Sequence, residues 1–340
     1  MTVLALSKET ETTDATAMQA IVHKRYGRPG PGVIDLGELD VPEIEDHQVL
    51  VRVRASSVNP VEWYGVTGPY FARIGAGLRR PNDPGVGADL SGTVEAVGRD
   101  VESFKPGDEV YGTGVGAWAE HAKASGERLA LKPASLSFAE AAAVPVAAVT
   151  ALMALREKGN VQPGEKVLVN GASGGVGTFA VQLAKALGAD VTAVCSTRNV
   201  DQAAALGADR VVDYTKDDFT KLGIRHELIL DIAGRTSFLD ARRVLTDDAR
   251  YILVGGRMTY RGLGPLPHVG GTILKSKGRG QTVKFFVAEV TTENLTYLGE
   301  LIDSGKVKPV VERTYPLNEA PDALAYLGEG HARGKLVITV

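Results

Sequence analysis

The sequence predicts an α/β protein of two domains, one β-rich and one built on a doubly wound parallel sheet. Three observations carry that prediction. The chain has 340 residues, which at roughly 150 residues per domain makes two. Glycine is in excess, with 40 residues where about 7% is usual; no triplet period accompanies it, so the excess belongs at turns and close backbone approaches. The second half of the chain then alternates short apolar runs with helical patterns, the grammar of βα units.

Composition removes several function classes. A chain that is 44% hydrophobic and 23% charged is an ordinary globule that buries a large core without staples. The net charge of −3, from 38 basic and 41 acidic residues, argues against nucleic acid or an anionic membrane as the main partner. No run approaches the ~18 apolar residues of a membrane span. The single cysteine, Cys195, excludes an intrachain disulfide and a cysteine-rich metal cluster.

In chain order, 1–17 is rich in Thr, Glu and Asp, and its apolar stretch Val3–Leu6 is too short for a signal peptide's core. It reads as a disordered extension of a cytoplasmic protein, with folding from Met18. Between Gln19 and Lys132 the pattern is β-rich. Gln48–Arg54 alternates apolar and polar side chains, as a half-buried strand does, and Thr93–Val97 and Gly107–Tyr111 are shorter strand candidates. Ser137 with Glu140 forms a capping box ahead of an alanine-rich helix to Leu155, which Pro145 should end or kink.

From Lys166 strand and helix alternate. Val167–Val169 is a strand core, and Val176, Phe179, Ala180, Leu183, Ala184 and Leu187 share one helical face. Val191–Val194, Arg210–Val212, Leu228–Leu230 and Tyr251–Val254 read as further buried strands of a parallel sheet. The last residues, with Leu336–Val340, return to strand character and are expected to rejoin the first domain. The expected division is therefore 18–145 with 311–340 for the β-rich domain, and 146–310 for the sheet domain.

The strongest local signal is Asn170-Gly171-Ala172-Ser173-Gly174-Gly175-Val176-Gly177, directly after a strand and opening a helix. Such a turn lets backbone approach a pyrophosphate, and the helix N-terminus supplies N–H groups and positive dipole. An NAD site places Asp or Glu about 20 residues on, at the end of the second strand, to bind the ribose 2′-hydroxyl. Here that end reads Cys195-Ser196-Thr197-Arg198-Asn199. Hydroxyls and a guanidinium suit a 2′-phosphate, which a carboxylate would repel. NADPH is the expected cofactor.

At these residues the chain resembles the medium-chain dehydrogenase/reductase superfamily, in its zinc-free quinone oxidoreductase-like and enoyl reductase-like branch. The matching landmarks are Ser57–Pro60, Pro84–Gly92, Val97-Gly98, Pro106–Val110, Ala141–Leu155, the glycine turn and Gly330–Ile338. The resemblance implies a GroES-like catalytic domain, a Rossmann domain and a cofactor in the cleft between them. It also shows what has been lost. Asn59 stands where zinc-dependent relatives have a metal-binding Cys, and Ala88, in Gly87-Ala88-Asp89, where they have a metal-binding His. The four-cysteine structural lobe is missing, and the six histidines form no helix-spaced pair, so no zinc site is expected.

The resemblance further implies a set of site residues. Thr150, Val254-Gly255 and Phe285-Phe286 belong around the nicotinamide, Tyr214 at the 2′-phosphate or adenine, and Arg333 and Lys335 as cofactor-side cations. Asn59 is a candidate donor to substrate or nicotinamide ribose, the alternative being a cap of the turn before Pro60, and Tyr64 is the candidate to donate the proton or orient the enolate, the alternative being aromatic packing. Without a Lewis acid, carbonyl reduction loses its usual oxyanion stabilisation. Hydride addition to an activated C=C bond needs only hydrogen bonds to the enolate. The expected activity is NADPH-dependent reduction of α,β-unsaturated carbonyls, with reductive cyclisation of a polyketide-like intermediate as one form. The alternatives are a quinone reductase and a non-catalytic NADPH-binding protein. The expected partner is a small-molecule substrate, and the expected state a monomer or homodimer.

Overall fold

The computed structural model describes residues 17–256 and 266–340. The expected extension lies outside them apart from Ala17, which already opens a strand. A two-stranded antiparallel hairpin leads, β1 (Ala17–His23) with β2 (Ile34–Asp40). β3 (Gln48–Val58) runs past the expected Arg54 because its second half stays buried, and helix α1 (Pro60–Thr67) follows it. α2 (Tyr70–Arg73), β4 (Asp89–Val97), β5 (Glu109–Thr113), β6 (His121–Ser125) and β7 (Leu129–Leu131) complete the first part.

The capping box forms as expected. Ser137 Oγ accepts from the Glu140 amide, and the Glu140 carboxylate accepts from the Ser137 amide at 2.9 Å. Pro145 then splits the helix into α3 (Phe138–Ala142) and α4 (Pro145–Met153). Proline at the first position of α4 costs no hydrogen bond, and the break aims the Val146 N–H at a carboxylate described below.

The second unit is a six-stranded parallel sheet. Its strands are β8 (Lys166–Asn170), β9 (Asp190–Cys195), β10 (Arg210–Asp213), β11 (His226–Asp231), β12 (Leu245–Leu253) and β13 (Thr282–Phe285). Their order is β10-β9-β8-β11-β12-β13. That is the doubly wound order, with its switch point between β8 and β11. Helices α5 (Gly175–Ala186), α6 (Val200–Ala205), α7 (Phe238–Ala241), α8 (Leu266–Ser276) and α9 (Thr292–Asp303) connect or flank the strands. The amphipathic face read from the sequence packs α5 inward, and Phe179, Ala180, Leu183 and Ala184 are fully buried against β8 and β9.

The chain closes with β14 (Val311–Pro316), α10 (Ala320–Gly328) and β15 (Lys335–Thr339). β15 runs antiparallel to β3, with Leu336 opposite Val58. This register sets Lys335, at the end of the chain, beside Asn59, which follows β3. The seven-stranded sheet so formed has the order β14-β15-β3-β4-β5-β7, with β6 also paired to β3.

Candidate active site

Five of the expected site segments meet because parallel strands all end on one edge. The glycine turn follows β8, Ser196–Arg198 follow β9, Tyr214 follows β10, Val254-Gly255 follow β12, and Phe285 ends β13. Ligands of doubly wound sheets bind at this carboxyl edge, at the switch point.

The turn is shaped by missing side chains. Gly171 has φ 99°, a left-handed conformation that favours glycine. A Cβ on Gly177 would lie 2.1 Å from the Gly171 carbonyl oxygen, so helix and turn approach as closely as backbones allow. Gly174, which caps α5 without a side-chain partner, is far less crowded: a Cβ there would lie 3.9 Å from the Gly171 carbonyl oxygen, an ordinary contact. An anion can therefore reach the first-turn N–H groups of a twelve-residue helix, in the gap beside Ser173, Gly174, Gly175 and Val176.

Beyond β9 two guanidinium groups converge. Arg198 donates to the His331 carbonyl at 2.5 Å. Arg333 donates to Asn199 Oδ1 at 2.8 Å and to the Arg198 carbonyl at 3.3 Å. Ser196 Oγ accepts from Asn199 Nδ2. Thr197 Oγ1 bonds Asp213 at 2.6 Å, and Thr215 Oγ1 donates to the same carboxylate at 2.7 Å. The hydrogen bond from Thr197 chiefly holds the Asp213 carboxyl down at about 2. Thr197 is thus engaged by a carboxylate that the sequence reading did not place there. Tyr214 stands exposed alongside, its amide donating to the Cys195 carbonyl at 3.0 Å.

At the switch point, Asp231 is buried and receives Asn170 Nδ2 at 2.9 Å, the Gly234 amide at 3.0 Å and the Tyr251 hydroxyl at 2.7 Å. His268 Nε2 lies 3.8 Å from the same carboxylate, which raises the imidazole pKa. Val254 and Gly255 both donate to the Asp231 carbonyl. Phe285 is partly exposed, and Phe286 lies under the Lys158 ammonium at 5.8 Å. Thr150, on α4, turns its hydroxyl back to the Val146 carbonyl at 2.6 Å.

The second locus is ionic and buried. Asn59 is 2% exposed, Asp89 0% and Lys335 3%. Asp89 Oδ2 accepts from Ser57 Oγ at 2.5 Å, from Asn59 Nδ2 at 2.9 Å and from Lys335 Nζ at 3.4 Å. Its other oxygen accepts from the Val146 amide at 2.9 Å, so the first turn of α4 stabilises the charge. Lys335 also donates to the Val58 carbonyl at 3.2 Å and to Asn59 Oδ1. Glu62 completes the group, accepting from the Asn59 amide at 2.7 Å and the Ala88 amide at 2.9 Å. Burial and the Asp89 charge push its carboxyl up to about 7.

Lys335 was expected as a cofactor-side cation; the fold sets its ammonium in this network, with only its stem beside Gly175. Sequence reading passed over Asp89, Glu62 and Asp231 as site residues. The run Gly87-Ala88-Asp89, noted only for its missing histidine, was the available signal. Tyr64, on α1 five residues from Asn59, packs edge-on against Phe71, and burial raises its phenol pKa.

This locus does not fit zinc. It offers a carboxamide, a methyl group at Ala88, the Glu62 carboxyl with both oxygens taken by backbone amides, and a carboxylate already engaged by three side chains, one of them an ammonium that would repel a metal ion. Among the described residues, no group of three or more His, Cys, Asp or Glu gathers to hold a metal, and no helix is long and apolar enough to cross a membrane.

A doubly wound sheet with a glycine turn at its switch point, joined to a β-rich unit that carries a buried polar locus, defines the class of a dinucleotide-dependent oxidoreductase. Comparison with known proteins agrees. Residues 45–154 match the alcohol dehydrogenase GroES-like domain, and residues 206–338 match a zinc-binding dehydrogenase domain. The chain is 33% identical to the mitochondrial NAD(P)H oxidoreductase RTN4IP1 of Mus musculus, over 97% of this chain and 91% of that protein. It is also 33% identical to 2-methylene-furan-3-one reductase of Solanum lycopersicum, over 98% and 82%. The crystal structure of Escherichia coli quinone oxidoreductase complexed with NADPH superposes with a TM-score of 0.80 at 25% identity, over 95% of this chain and 100% of that one. The protein belongs to the medium-chain dehydrogenase/reductase superfamily, in its quinone oxidoreductase-like branch, and is an oxidoreductase.

Proposed function

We propose that this protein is a zinc-independent, NADPH-dependent reductase of activated C=C bonds in α,β-unsaturated carbonyl compounds. The observation that carries the reading is the Asn59–Asp89–Lys335 network standing where a metal-dependent site would need soft or imidazole ligands. A carbonyl oxyanion would find no Lewis acid there, whereas an enolate needs only hydrogen-bond donors in a dry cleft. The name of the tomato relative, 2-methylene-furan-3-one reductase, points the same way.

The turn from Gly171 through Ser173, Gly174, Gly175 and Val176 would hold the pyrophosphate. Arg198 and Arg333, with Ser196 and Tyr214, would meet the 2′-phosphate, and the Lys216 ammonium, 3.5 Å from the nearby Asp213 carboxylate, offsets that charge. The NADPH bound by the E. coli neighbour supports this choice. Val254, Gly255, Thr150, Phe285 and Phe286 would frame the nicotinamide, which when bound supplies the hydride. Tyr64 would deliver the proton; a phenol whose pKa burial has raised stays protonated across the neutral range. The compartment proposed with this reading is the cytoplasm, although the mouse relative is a mitochondrial protein.

The name of the E. coli neighbour favours a second reading, quinone reduction. Purified protein supplied with NADPH and either an enone or a quinone separates the two. Saturated ketone formed faster than hydroquinone supports C=C reduction, and turnover with the quinone alone overturns it.

A further inference from the structure

Lys335 is buried, and one side chain touches both halves of the site. Its three ammonium protons have three acceptors, Asn59 Oδ1, the Val58 carbonyl at 3.2 Å and Asp89 Oδ2 at 3.4 Å. Its stem runs beside the glycine turn, where a Cβ on Gly175 would lie 2.9 Å from Lys335 Cδ.

The consequence falls on Asn59. Its carboxamide oxygen faces the ammonium and its nitrogen faces Asp89 at 2.9 Å. Turning the amide over would set NH₂ against NH₃⁺ and C=O against COO⁻, and both contacts repel. The carboxamide therefore has one orientation, and one of its two N–H bonds is spent on Asp89. The other remains as a donor of fixed direction.

We propose that Lys335 is a positioning residue, which orients the Asn59 carboxamide for the substrate and ties that orientation to the glycine turn. This rests on the proposed reaction in placing Asn59 at the reacting end of the cleft. It departs from the expected role of Lys335 as a cofactor-side cation, because the ammonium is already engaged by Asn59, Val58 and Asp89. Asp89 and Glu62 face the ammonium and its partners from β4 and α1, so the locus is charge-compensated without any bound cofactor.

The test is a double-mutant cycle of Lys335→Met, which keeps the stem and removes the charge, with Asn59→Ala. Three quantities are read: kcat and KM with an enone and with a quinone, the NADPH dissociation constant from fluorescence quenching, and the Asn59 side-chain NH₂ signals in protein labelled with [¹⁵N]asparagine. Lys335→Met is expected to lower kcat by roughly ten- to a hundred-fold, the scale of a small misplacement of a reacting group. NADPH affinity should hold within about three-fold. The Asn59 NH₂ signals should shift and broaden. In the Asn59→Ala background the same change should cost almost nothing more, as residues acting as one unit are not additive.

An equal factor in both backgrounds, unmoved Asn59 signals, or a loss of NADPH affinity with kcat unchanged would each overturn the proposal. Where Lys335→Met does not fold, Lys335→Arg carries the cycle, and whatever factor it costs must vanish in Asn59→Ala. A wild-type protein that turns over the quinone but no enone refutes the proposed reaction alone, since the quinone rates and the NMR signals still read the coupling.

Discussion

The two candidate loci are built by opposite means. The glycine turn is almost bare backbone: Gly171 and Gly177 bring turn and helix into backbone contact, Gly174 leaves the start of α5 uncrowded, and the donors there are amides that no side chain has to place. The locus at Asn59 is built on charged and polar side chains, an ammonium, two carboxyl groups, a carboxamide and a hydroxyl packed out of water. A bare turn binds the part of a ligand that every reaction of the class shares. A charged, buried locus is specific to one reaction and tolerates change poorly, because each partner removed leaves another unpaired.

That contrast orders the effects of substitution. Largest should be Tyr64→Phe, which acts at the reacting end. With an enone its turnover should fall about 10²–10⁴-fold, the range of a lost general acid, while NADPH binding barely changes. With a quinone most activity should remain, since water protonates the hydroquinone. Near-wild-type enone rates would make Tyr64 a structural aromatic, packed against Phe71.

Gly177→Ala attacks the bare half. With the added Cβ 2.1 Å from a carbonyl oxygen, NADPH affinity measured by fluorescence should drop by roughly 10²-fold or more, as a displaced backbone cannot repack cheaply. Unaltered affinity would show that the turn does not set the binding geometry. Arg198→Ala is milder: one charge-assisted hydrogen bond is worth about 1.5–3 kcal/mol, so KM for NADPH should rise at least ten-fold while KM for NADH hardly moves. Equal losses with both cofactors would take Arg198 away from the 2′-phosphate.

The smallest effect reports on the charged half through pH. Glu62 titrates near 7 in the folded protein, above its ordinary value of 4.5. Between those values the folded state holds the extra proton, so this group makes stability fall as pH rises through that window and level off above it. The loss is on the order of 1–3 kcal/mol. Denaturant unfolding of Glu62→Gln from pH 4.5 to 8 should lack that decline. An identical decline in the variant would place its origin elsewhere.

The same contrast explains what the sequence disclosed. The glycine turn, the strands ending at Val169, Val194 and Val212, and the break at Pro145 are local, written in spacing and backbone preference, and the structure forms them there. The hairpin of β1 and β2 and the strand β13 escaped because they carry no sustained alternation and are held by pairing with their neighbours. The Asn59 locus joins residues 57, 62, 89 and 335 through pairing of β15 with β3 across almost the whole chain. No spacing rule reaches that far. Lys335 was legible as a functional cation, but the partner of its charge was not.

The most direct measurement follows the hydrogen itself. The protein is supplied with NADPH deuterated at the transferred position of C4 and with an α,β-unsaturated ketone, and the product is located by NMR and mass spectrometry. Deuterium at the β-carbon of a saturated ketone, with the α-proton drawn from solvent, is the predicted result. Deuterium on a carbinol carbon, giving an allylic alcohol, would contradict the claim that this site reduces C=C bonds without a Lewis acid.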